Sequence, residues 1–435
     1  MSNCNIPEII QRDPKSVQDY PNYALNKLVS TTDAFIFFRS FVPCFYCLLN
    51  HNKTWNSPLF DPLRRFVGWC AGDAHPKNFG VFPVYLTTGK KQLVFSMNDP
   101  DDGDKGLPIY DILRLLTGIH FVITNGSPKD LRESLQQTLC AYLAGLGSGT
   151  IPTDQNAIED FLSDCGVSNS IIKNMVCSKN SQCFHCNEKY GQIKNGELQP
   201  VSTSSKTEIN IQITTEEQDA LDRFVENDCY LKSYKIKYYL AYLKTTGGSG
   251  YLRQYRICLH DKDLDSQDPF SHVILDVKPE CNSSVHYDQS GHNVKEIVAR
   301  VNTNIRKERG GGLCRFNRSV AIPGLGCGAF LIRAHWDGQE GIDTDDIPKN
   351  PGLLCAEGKI LGILHRTTML NVNDVDEYQS VVETMQNELI LLAGEMAAAL
   401  EQGYICCCQT ESGPCGCCDE ALRLEVEQAR KNGSS

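Results

Sequence analysis

Two short stretches decide the predicted fold of this chain, Gly72-Asp73-Ala74-His75-Pro76-Lys77-Asn78-Phe79 and the later Asn98-Asp99-Pro100-Asp101-Asp102. Between them, apolar residues alternate with other residues on both sides of a polar, glycine-containing turn, and this pattern predicts a β-hairpin. If the turn centres on Thr88-Gly89, Asn78 and Asp99 face each other at the open end of the hairpin. One amide and one carboxylate are therefore expected to converge close to Asp73.

These residue types suit phosphoryl transfer. The reaction needs a carboxylate that orients the attacking hydroxyl and oxygen ligands that hold Mg²⁺ against the nucleotide phosphates. Asp73 would supply the carboxylate, and Asn78 and Asp99 would supply oxygen ligands of the kind that a hard cation prefers. Because Asn, Asp, Pro and Gly are also common turn residues, plain polar loops remain the alternative for each stretch taken alone.

The same residues resemble a known enzyme core. Asp73-x-His75-x-x-Asn78, followed by a hairpin and Asp99, is similar to the active-site core of aminoglycoside and choline kinases, which are relatives of the protein kinases. The resemblance is closer to a bacterial family of unknown function (domain of unknown function 2252) with a protein-kinase-like fold. Its motifs are GDAH-x-x-NFG, NDFDE and a W-D-x-x-R-L helix. The corresponding segments here are GDAHPKNFG, NDPDD and Tyr110-Asp111-Ile112-Leu113-Arg114-Leu115.

This resemblance implies a catalytic base, a metal site and a set of supporting contacts. The base would be Asp73. The metal ligands would be Asn78, Asp99 and Asp101. The residues that support the catalytic loop would be His75 and Asp111.

The glycine-rich loop and the lysine that a kinase needs come after the catalytic loop in this chain. Two predicted strands are joined by a loop that contains Gly247, Gly248, Ser249 and Gly250. Its backbone N–H groups could approach phosphates without obstruction by a Cβ atom. Lys278 ends the apolar strand VILDVKPE, which is the setting of the strand lysine in kinases. The family has the same late order, which implies a circularly permuted kinase.

Each of these late features also has an ordinary structural interpretation. A GGSG sequence between strands is often a flexible turn, and a lysine at a strand end is usually solvated. Glu296 opens the next helix and is a candidate partner for Lys278, but it could simply favour the helix dipole, and Glu280 competes with it. The family expects glycine at position 251, where this chain has Tyr251.

Two other residues have an uncertain role. His365 lies in Leu364-His365-Arg366 and resembles a family position, but a structural role is the preferred interpretation. Arg333 lies on a predicted strand and is similarly ambiguous.

The predicted fold is α+β, bilobal and protein-kinase-like, with a circular permutation. A helical lobe is expected from residues 1–205 and 336–404. Its first part contains the catalytic loop, the metal-binding hairpin and an irregular insertion at about 150–205. Residues 206–335 are expected to form a small antiparallel-sheet lobe that binds the nucleotide. Residues 405–435 are expected to be a cysteine-rich tail that is dispensable for catalysis and for stability.

Cysteine clusters raise the possibility of other metal sites. Cys177, Cys183, His185 and Cys186 could bind zinc, although no second CxxC follows at ligand spacing. Six cysteines between positions 406 and 418 could bind a soft metal, carry a lipid or belong to a functionally neutral tail. The chain has 21 cysteines and no visible secretory signal, so mostly reduced thiols are expected.

The composition narrows the class of protein. The 435 residues are 41% hydrophobic, so the chain can bury a sizeable core. A net charge of −11 argues against a general nucleic-acid-binding or anionic-membrane protein. The N-terminus shows no cationic segment followed by an apolar one, and no stretch is apolar over enough residues to cross a bilayer. A cytoplasmic location without nucleic-acid partners is therefore expected.

The expected activity is ATP- and Mg²⁺-dependent transfer of a phosphoryl group to a hydroxyl of an unidentified small molecule or protein. One rival is a catalytically silent pseudokinase or nucleotide-binding regulatory module. The presence of both Asp73 and Asn78 argues against this rival. A second rival is a kinase-fold enzyme that transfers AMP, and the sequence does not separate it from a kinase.

Overall fold

The computed structural model describes residues 23–85, 91–99, 101–123, 127–147, 149–177, 191–194, 197–200, 208–244, 251–264, 272–287, 293–308, 316–334, 340–368, 373–408 and 428. Within these residues the protein is mixed α/β, and its strands pair antiparallel. The predicted glycine-rich loop and the possible zinc ligands Cys183, His185 and Cys186 lie outside the described residues.

The α-helices of the described residues are numbered in chain order. They are α1 Tyr23–Val29, α2 Ala34–Ser40, α3 Val42–His51, α4 Asp61–Arg64, α5 Ile109–Val122, α6 Pro128–Gly147, α7 Gln155–Asp164, α8 Asn169–Cys177, α9 Thr215–Asn227, α10 Val294–Glu308, α11 Gly352–Thr368, α12 Asn373–Thr384 and α13 Gln386–Cys408. Two 3₁₀ turns span Pro58–Phe60 and Ser284–His286.

The strands are numbered in the same way. They are β1 Gly68–Cys70, β2 Phe79–Tyr85, β3 Lys91–Met97, β4 Asp104–Gly106, β5 Gly191–Lys194, β6 Glu197–Pro200, β7 Glu208–Ile211, β8 Tyr234–Lys244, β9 Arg253–Asp261, β10 His272–Pro279, β11 Asn317–Ala321, β12 Ala329–Ala334 and β13 Glu340–Gly341.

A six-stranded sheet has the strand order β11-β12-β10-β9-β8-β7. Helix α9 packs its apolar side, including Leu221, on one face of this sheet. Helix α10 covers the β11–β12 end of the other face, where Val301 packs on Leu331 and its neighbours. Helix α9 begins with a complete capping box, in which Thr214 and Glu217 satisfy each other's backbone N–H groups.

A second and larger hydrophobic core is formed by helices from both ends of the described chain. It joins residues of α2, α3, α5 and α6 with residues of α11 and α13. Helices α6 and α11 run against each other at close range, because glycines line their contact. A Cβ atom at Gly362 would overlap the Tyr142 carbonyl, and Gly145 is similarly restricted by the α11 backbone. The β2–β3 hairpin adds Phe79 and Phe95 to this core.

The predicted hairpin is present, but its register differs from the prediction by one residue. Phe79 lies opposite Met97, and Val81 lies opposite Phe95. Asn78 therefore faces Asn98, whose N–H donates to the Asn78 carbonyl at 3.0 Å, and Asp99 is one residue further along. The reason is the length of the connection. Strand β2 ends at residue 85 and β3 begins at residue 91, so an odd number of residues joins them.

Two expectations about irregular segments are wrong. Residues 155–164 and 169–177 form helices α7 and α8, where an irregular insertion was expected. Asp154 caps α7 by accepting the Ala157 N–H, and Ile158 and Leu162 bury one side of the helix. The cysteine-rich tail was expected to begin at residue 405, but α13 continues to Cys408 and buries Cys406–Cys408 in the helical core.

Two further observations concern helix α13 and the cysteines. In the part of the chain that the structure describes, α13 is long and apolar enough to cross a membrane by composition. Its side chains, including Leu389 and Leu400, belong to the helical core, which agrees with the predicted absence of a transmembrane segment. Cys47 and Cys406 each take part in a disulfide, which is an exception to the expectation of reduced thiols.

Candidate functional site

The catalytic-loop candidate is held in place by buried contacts to its backbone. Asp111 on α5 accepts the N–H of Ala71 at 2.6 Å and the N–H of Gly72 at 2.9 Å. The Tyr46 hydroxyl donates to the Gly72 carbonyl at 2.6 Å. Gly72 has φ 83°, and a Cβ atom there would overlap the Asp102 carbonyl. Glycine is therefore required where the loop meets the segment after the hairpin, and Asp111 makes the supporting contact that the resemblance implies.

Asp73 lies in this loop and is bound by an arginine. Its Oδ1 accepts hydrogen bonds from Arg114 Nη2 at 2.5 Å and Nε at 3.0 Å. Arg114 is fully buried, lies over the Phe38 ring at 4.2 Å and donates to the Phe38 carbonyl at 3.1 Å. A charge-assisted contact of this kind fixes the orientation of a carboxylate. Arg114 is thus a positioning residue that the sequence interpretation missed.

His75 is buried beside Asp73 and is neutral at neutral pH. Burial lowers the pKa of His75 well below its usual value, and the charges of Arg39, Arg114 and Lys77 lower it further. The Lys77 N–H points at Nδ1 at 3.1 Å, and the Arg39 Nε–H points at Nε2 at 3.3 Å, while Nε2 lies 3.7 Å from Asp73 Oδ2. A neutral imidazole accepts a hydrogen bond at only one of its two nitrogens, so the tautomer decides which of these two donors His75 accepts.

Asn78 is fixed to the loop by hydrogen bonds from both its side chain and its backbone. It is buried, and its Nδ2 donates to the backbone carbonyl of Asp73 at 2.9 Å. Its own N–H donates to the His75 carbonyl at 2.8 Å, which closes the loop as a turn. Because the amide nitrogen is engaged with the loop backbone, Oδ1 is the side-chain atom that could bind a cation.

Lys278 contacts two of the acidic residues that follow the hairpin. Its Nζ lies 3.1 Å from Asp99 Oδ1 and 2.8 Å from Asp101 Oδ2. The sequence separations are 179 and 177 residues. Lys278 is buried at the end of β10, whereas the Asp99 side chain is 35% exposed. Two carboxylates from one part of the molecule therefore converge on a cation from the six-stranded sheet.

The charges around Asp99 favour its ionised form. Burial tends to raise the pKa of Asp99, but the charges of Lys278 and Arg333 outweigh it and hold the pKa below its usual range. Arg333 lies on β12 directly opposite Asp276 of β10. Arg333, whose role is ambiguous in the sequence, is therefore part of this charged region.

The segment after the hairpin is fixed to α10 and to the 3₁₀ turn near residue 284. Arg300 Nη1 donates to the carbonyls of Asp101 and Gly103, both at 2.6 Å. The Asn304 amide donates to the Gly103 carbonyl at 2.7 Å, and the Ser284 hydroxyl donates to Asp102 Oδ1 at 2.5 Å. Arg300, Asn304 and Ser284 were not found from the sequence. The signal available for Arg300 and Asn304 was their place on the side of α10 that faces the sheet.

The proposed pairing of Lys278 with Glu296 is absent. Glu296 is exposed in the first turn of α10, whereas the buried side of the helix is formed by Ile297, Val301 and Ile305. Since successive residues are about 100° apart around a helix, Glu296 lies just outside that buried side. The competing Glu280 is buried one residue beyond β10.

The glycine-rich loop itself lies outside the described residues, but its end is visible. The Tyr251 N–H donates to the Lys244 carbonyl at 2.7 Å, which joins β8 to the start of β9. Tyr251 has φ 58°, in the left-handed region that favours glycine. This residue stands at the position where the family has glycine. The glycine-type backbone is therefore present here even though the side chain is tyrosine.

His365 takes part in a buried chain of hydrogen bonds behind the loop. Its Nε2 lies 3.0 Å from Asp111 Oδ2, and its Nδ1 lies 2.7 Å from the Tyr142 hydroxyl. The Tyr142 hydroxyl is in turn 2.9 Å from the Tyr378 hydroxyl. These contacts support the structural interpretation of His365.

The arrangement suits the binding of a hard cation together with an anionic ligand. Within the described residues, no group of three or more His, Cys, Asp or Glu side chains could hold a metal by itself. Mg²⁺ needs less than this, because it keeps several waters and uses one or two carboxylates plus phosphate oxygens. Asp99 and Asp101 already converge on one positive charge, and Asn78 offers an amide oxygen nearby in the loop, so the donor set fits Mg²⁺.

Comparison with known protein families identifies a match over most of the chain. Residues 27–410 match the model of a family described as uncharacterised proteins conserved in bacteria (DUF2252). The matched range contains the catalytic-loop candidate, the hairpin and the strand that ends at Lys278. No curated protein and no solved structure was found to match this chain.

Proposed function

This chain belongs to the DUF2252 family of bacterial proteins, and we propose that it is an ATP- and Mg²⁺-dependent phosphotransferase with a circularly permuted, bilobal, protein-kinase-like fold. The observation that carries the proposal is the contact of Lys278 with Asp99 and Asp101. In a kinase the strand lysine and the metal-binding aspartate come from different lobes and meet at the nucleotide phosphates. Here the lysine is 179 residues later in the chain than the aspartate and still reaches it.

Each residue of the site has a part in the proposed reaction. Asp73 accepts the proton of the attacking hydroxyl and orients it towards the γ-phosphorus, while Arg114 fixes the direction of the Asp73 carboxylate. Asn78, Asp99 and Asp101 would hold Mg²⁺, which supplies positive charge to the phosphate oxygens. Lys278 binds the phosphates when the metal neutralises the two aspartates.

The charge balance explains why the ligands should bind together. Without a divalent cation, Lys278 is held between Asp99 and Asp101, at 3.1 and 2.8 Å. A polyphosphate alone would be repelled by the two carboxylates. A divalent cation bound to them removes this repulsion and leaves the lysine charge for the phosphates. Nucleotide binding is therefore expected to require Mg²⁺.

The test is the effect of ligand on the melting temperature. A ligand that binds only the folded state stabilises it by about 2.7 kcal/mol at a hundredfold excess over Kd. ATP with Mg²⁺ should therefore raise the melting temperature by a few degrees, and ATP with EDTA should not. Lys278→Met and Asp99→Ala should each remove most of the rise, whereas Lys295→Met, at an exposed position of α10, should retain it.

The apo forms of the variants provide the necessary control. Asp99→Ala leaves Lys278 paired with Asp101, so this variant should fold without ligand. A full nucleotide shift in Lys278→Met would contradict the proposal. A shift that does not depend on Mg²⁺ would contradict it as well.

A catalytically silent nucleotide-binding module is the second candidate. It is favoured by the exposure of Glu296, the residue of the first turn of α10 whose counterpart in active kinases pairs with the strand lysine. This candidate predicts the same ligand shift but no phosphoryl transfer. The two functions are therefore separated by a measurement of turnover.

A further inference from the structure

The sheet face that carries Lys278 is charged and polar on the side of the β2–β3 hairpin. Asp276 lies two residues before Lys278 and on the same side of β10. Its carboxylate accepts a hydrogen bond from Arg256 Nε at 3.0 Å, and Arg256 also pairs with Glu208 at 3.3 Å. These side chains are mostly buried, so the charged row belongs to the interior of the site.

The neighbouring positions on this face are polar as well. Tyr242 is fully buried, and its hydroxyl donates to Gln254 at 3.2 Å. Its ring lies 4.5 Å from the Arg256 guanidinium. Pockets for flat organic groups are lined mostly by apolar side chains with a few polar groups. In the V-A-I-K strand of kinases, the residue two before the lysine is alanine, whereas here it is Asp276. This face is therefore poorly suited to a purine ring.

Among the described residues, two cations on the same face have side chains that bind no carboxylate directly. Lys244 ends β8, Arg333 lies on β12, and both are half-buried. Neither side chain makes a hydrogen bond or an ion pair within the part of the chain that the structure describes. Arg333 lies opposite Asp276, which is bound by Arg256. Lys244 lies opposite Glu208, which is also bound by Arg256.

The two cations lie on either side of Lys278, since β10 lies between β12 and β8 in the sheet. Arg333 is a diagonal neighbour of Lys278, because Lys278 pairs with Leu331 across β10 and β12. Burial lowers the pKa of Lys244, and Asp276, Arg333, Lys278 and Asp99 are close enough to act on it electrostatically. Half-buried cations without a partner are costly to keep unless a ligand supplies the counter-charge.

We propose that Lys244, Lys278 and Arg333 form a three-cation polyphosphate site, so that the phosphate donor is recognised by its phosphate chain and not by its base. This inference rests on the proposed function and adds the chemical class of the donor. The three cations match the several negative charges of a triphosphate, and the charged row of Arg256, Asp276 and Glu208 stands where a base would otherwise lie. ATP, GTP and inorganic tripolyphosphate should therefore be comparable ligands.

The first experiment compares ligands on the unmodified protein. Dissociation constants are measured by calorimetry in the presence of Mg²⁺ for ATP, GTP, tripolyphosphate and adenosine. The expected result is that ATP, GTP and tripolyphosphate bind within about tenfold of one another, which is about 1.4 kcal/mol, and that adenosine binds at least a hundredfold more weakly. Tight adenosine binding, or no binding of tripolyphosphate when ATP binds, would overturn the inference.

The second experiment tests the two cations. Lys244→Met and Arg333→Met should each weaken the binding of Mg²⁺-tripolyphosphate about tenfold or more, because each removes a charge-assisted contact. Lys235→Met changes an exposed lysine of the same strand β8 and should stay within about twofold of the unmodified protein. Arg333→Lys keeps the charge and should recover part of the affinity if Arg333→Met folds poorly. Unchanged affinity in both Met variants would overturn the inference.

These results separate the inference from the proposed function. If Mg²⁺-ATP binds the unmodified protein and both Met variants equally, the three-cation site is wrong while the phosphotransferase proposal stands. If tripolyphosphate binding depends on Lys244 and Arg333 but no γ-phosphoryl group is transferred from ATP, the site stands and the proposed activity is wrong.

Discussion

The carboxylate of Asp111 provides the sharpest prediction about how the catalytic loop is held. It is fully buried and accepts three hydrogen bonds, from the N–H groups of Ala71 and Gly72 and from His365 Nε2. Asp111→Asn keeps the shape of the side chain but removes its charge and turns one acceptor into a donor. The new amide N–H then faces one of the groups that already donate.

The expected magnitude follows from these contacts. A hydrogen bond to a charged group contributes about 1.5–3 kcal/mol, and a buried donor left without an acceptor costs about 1–3 kcal/mol. Because the three contacts share one carboxylate, they are not additive. We expect Asp111→Asn to lower the free energy of unfolding by about 3–4 kcal/mol. Proteins are stable by about 5–15 kcal/mol, so this variant should still fold at 25 °C.

A milder variant tests the same network if Asp111→Asn is too unstable. Tyr142→Phe removes the hydroxyl that lies between His365 and Tyr378, and it should cost about 1 kcal/mol. The control is Asp376→Asn, at an exposed position of α12, which should change stability by less than about 0.5 kcal/mol.

The assay is urea denaturation, in which the dependence of the unfolding free energy on urea concentration is compared between variants. The rise in melting temperature with Mg²⁺-ATP is then measured on the variants that fold. Asp111→Asn should lose stability without a change in slope, and the double variant with Tyr142→Phe should show coupling of at least about 0.5 kcal/mol. If Asp111→Asn costs less than about 1 kcal/mol, these contacts do not fix the loop and the reasoning is refuted.

Two other predictions concern stability. Glu357→Met should raise the free energy of unfolding by about 1–3 kcal/mol at pH 7, because the Glu357 carboxyl is buried on α11 without a hydrogen-bond partner among the described residues, and burial raises its pKa. Because the pKa is raised in the folded state, the carboxyl does not lower the free energy of unfolding by ionisation below the unfolded-state pKa of about 4.3, and it lowers that free energy as the pH rises above this value. The gain measured by denaturation should therefore be smaller at pH 4 than at pH 8, and a gain independent of pH would contradict it. Truncation after Tyr404 should lower stability by at least about 2 kcal/mol, because it removes the buried residues Cys406–Cys408. An unchanged melting temperature would contradict this and would support the original prediction that the tail is dispensable for stability.

Local patterns in the sequence were sufficient for many elements. The capping box at Thr214 and Glu217, the alternation along β10 and the apolar spacing of α10 each follow from interactions over a few residues. The meeting of Lys278 with Asp99 could also be predicted, but only from the order of motifs in a resembling family. Periodicity alone does not reveal which distant segments meet.

The hairpin register could not be predicted because it depends on the length of the connection. A shift of one residue in register changes the cross-strand partner of Asn78 from Asp99 to Asn98. The helical segment Gln155–Asp164 had a usable signal, since Asp154 precedes it and Ile158, Phe161 and Leu162 are spaced for one side of a helix. The many Ser, Asn and Cys residues of the region around it obscured this signal.

The role of Arg114 was detectable in part. An arginine within the apolar helix Ile109–Val122 must be buried, and a buried guanidinium needs an anionic partner. The identity of that partner, Asp73, depends on how α5 packs behind the loop. The exposure of Glu296 was also readable, because its neighbour Ile297 begins the buried side of α10.

The central claim is tested most directly by following both ends of ATP. The protein is incubated with Mg²⁺ and ATP labelled separately on the α- and γ-phosphates, with a mixture of hydroxyl compounds as acceptors. The proposed function predicts that the γ-label alone leaves the nucleotide, to an acceptor or to water. It also predicts that Asp73→Asn slows this step by about 10²–10⁴-fold while the Mg²⁺-ATP melting shift stays close to that of the unmodified protein. Transfer of the α-label, or γ-label release as fast in Asp73→Asn as in the unmodified protein, would contradict it.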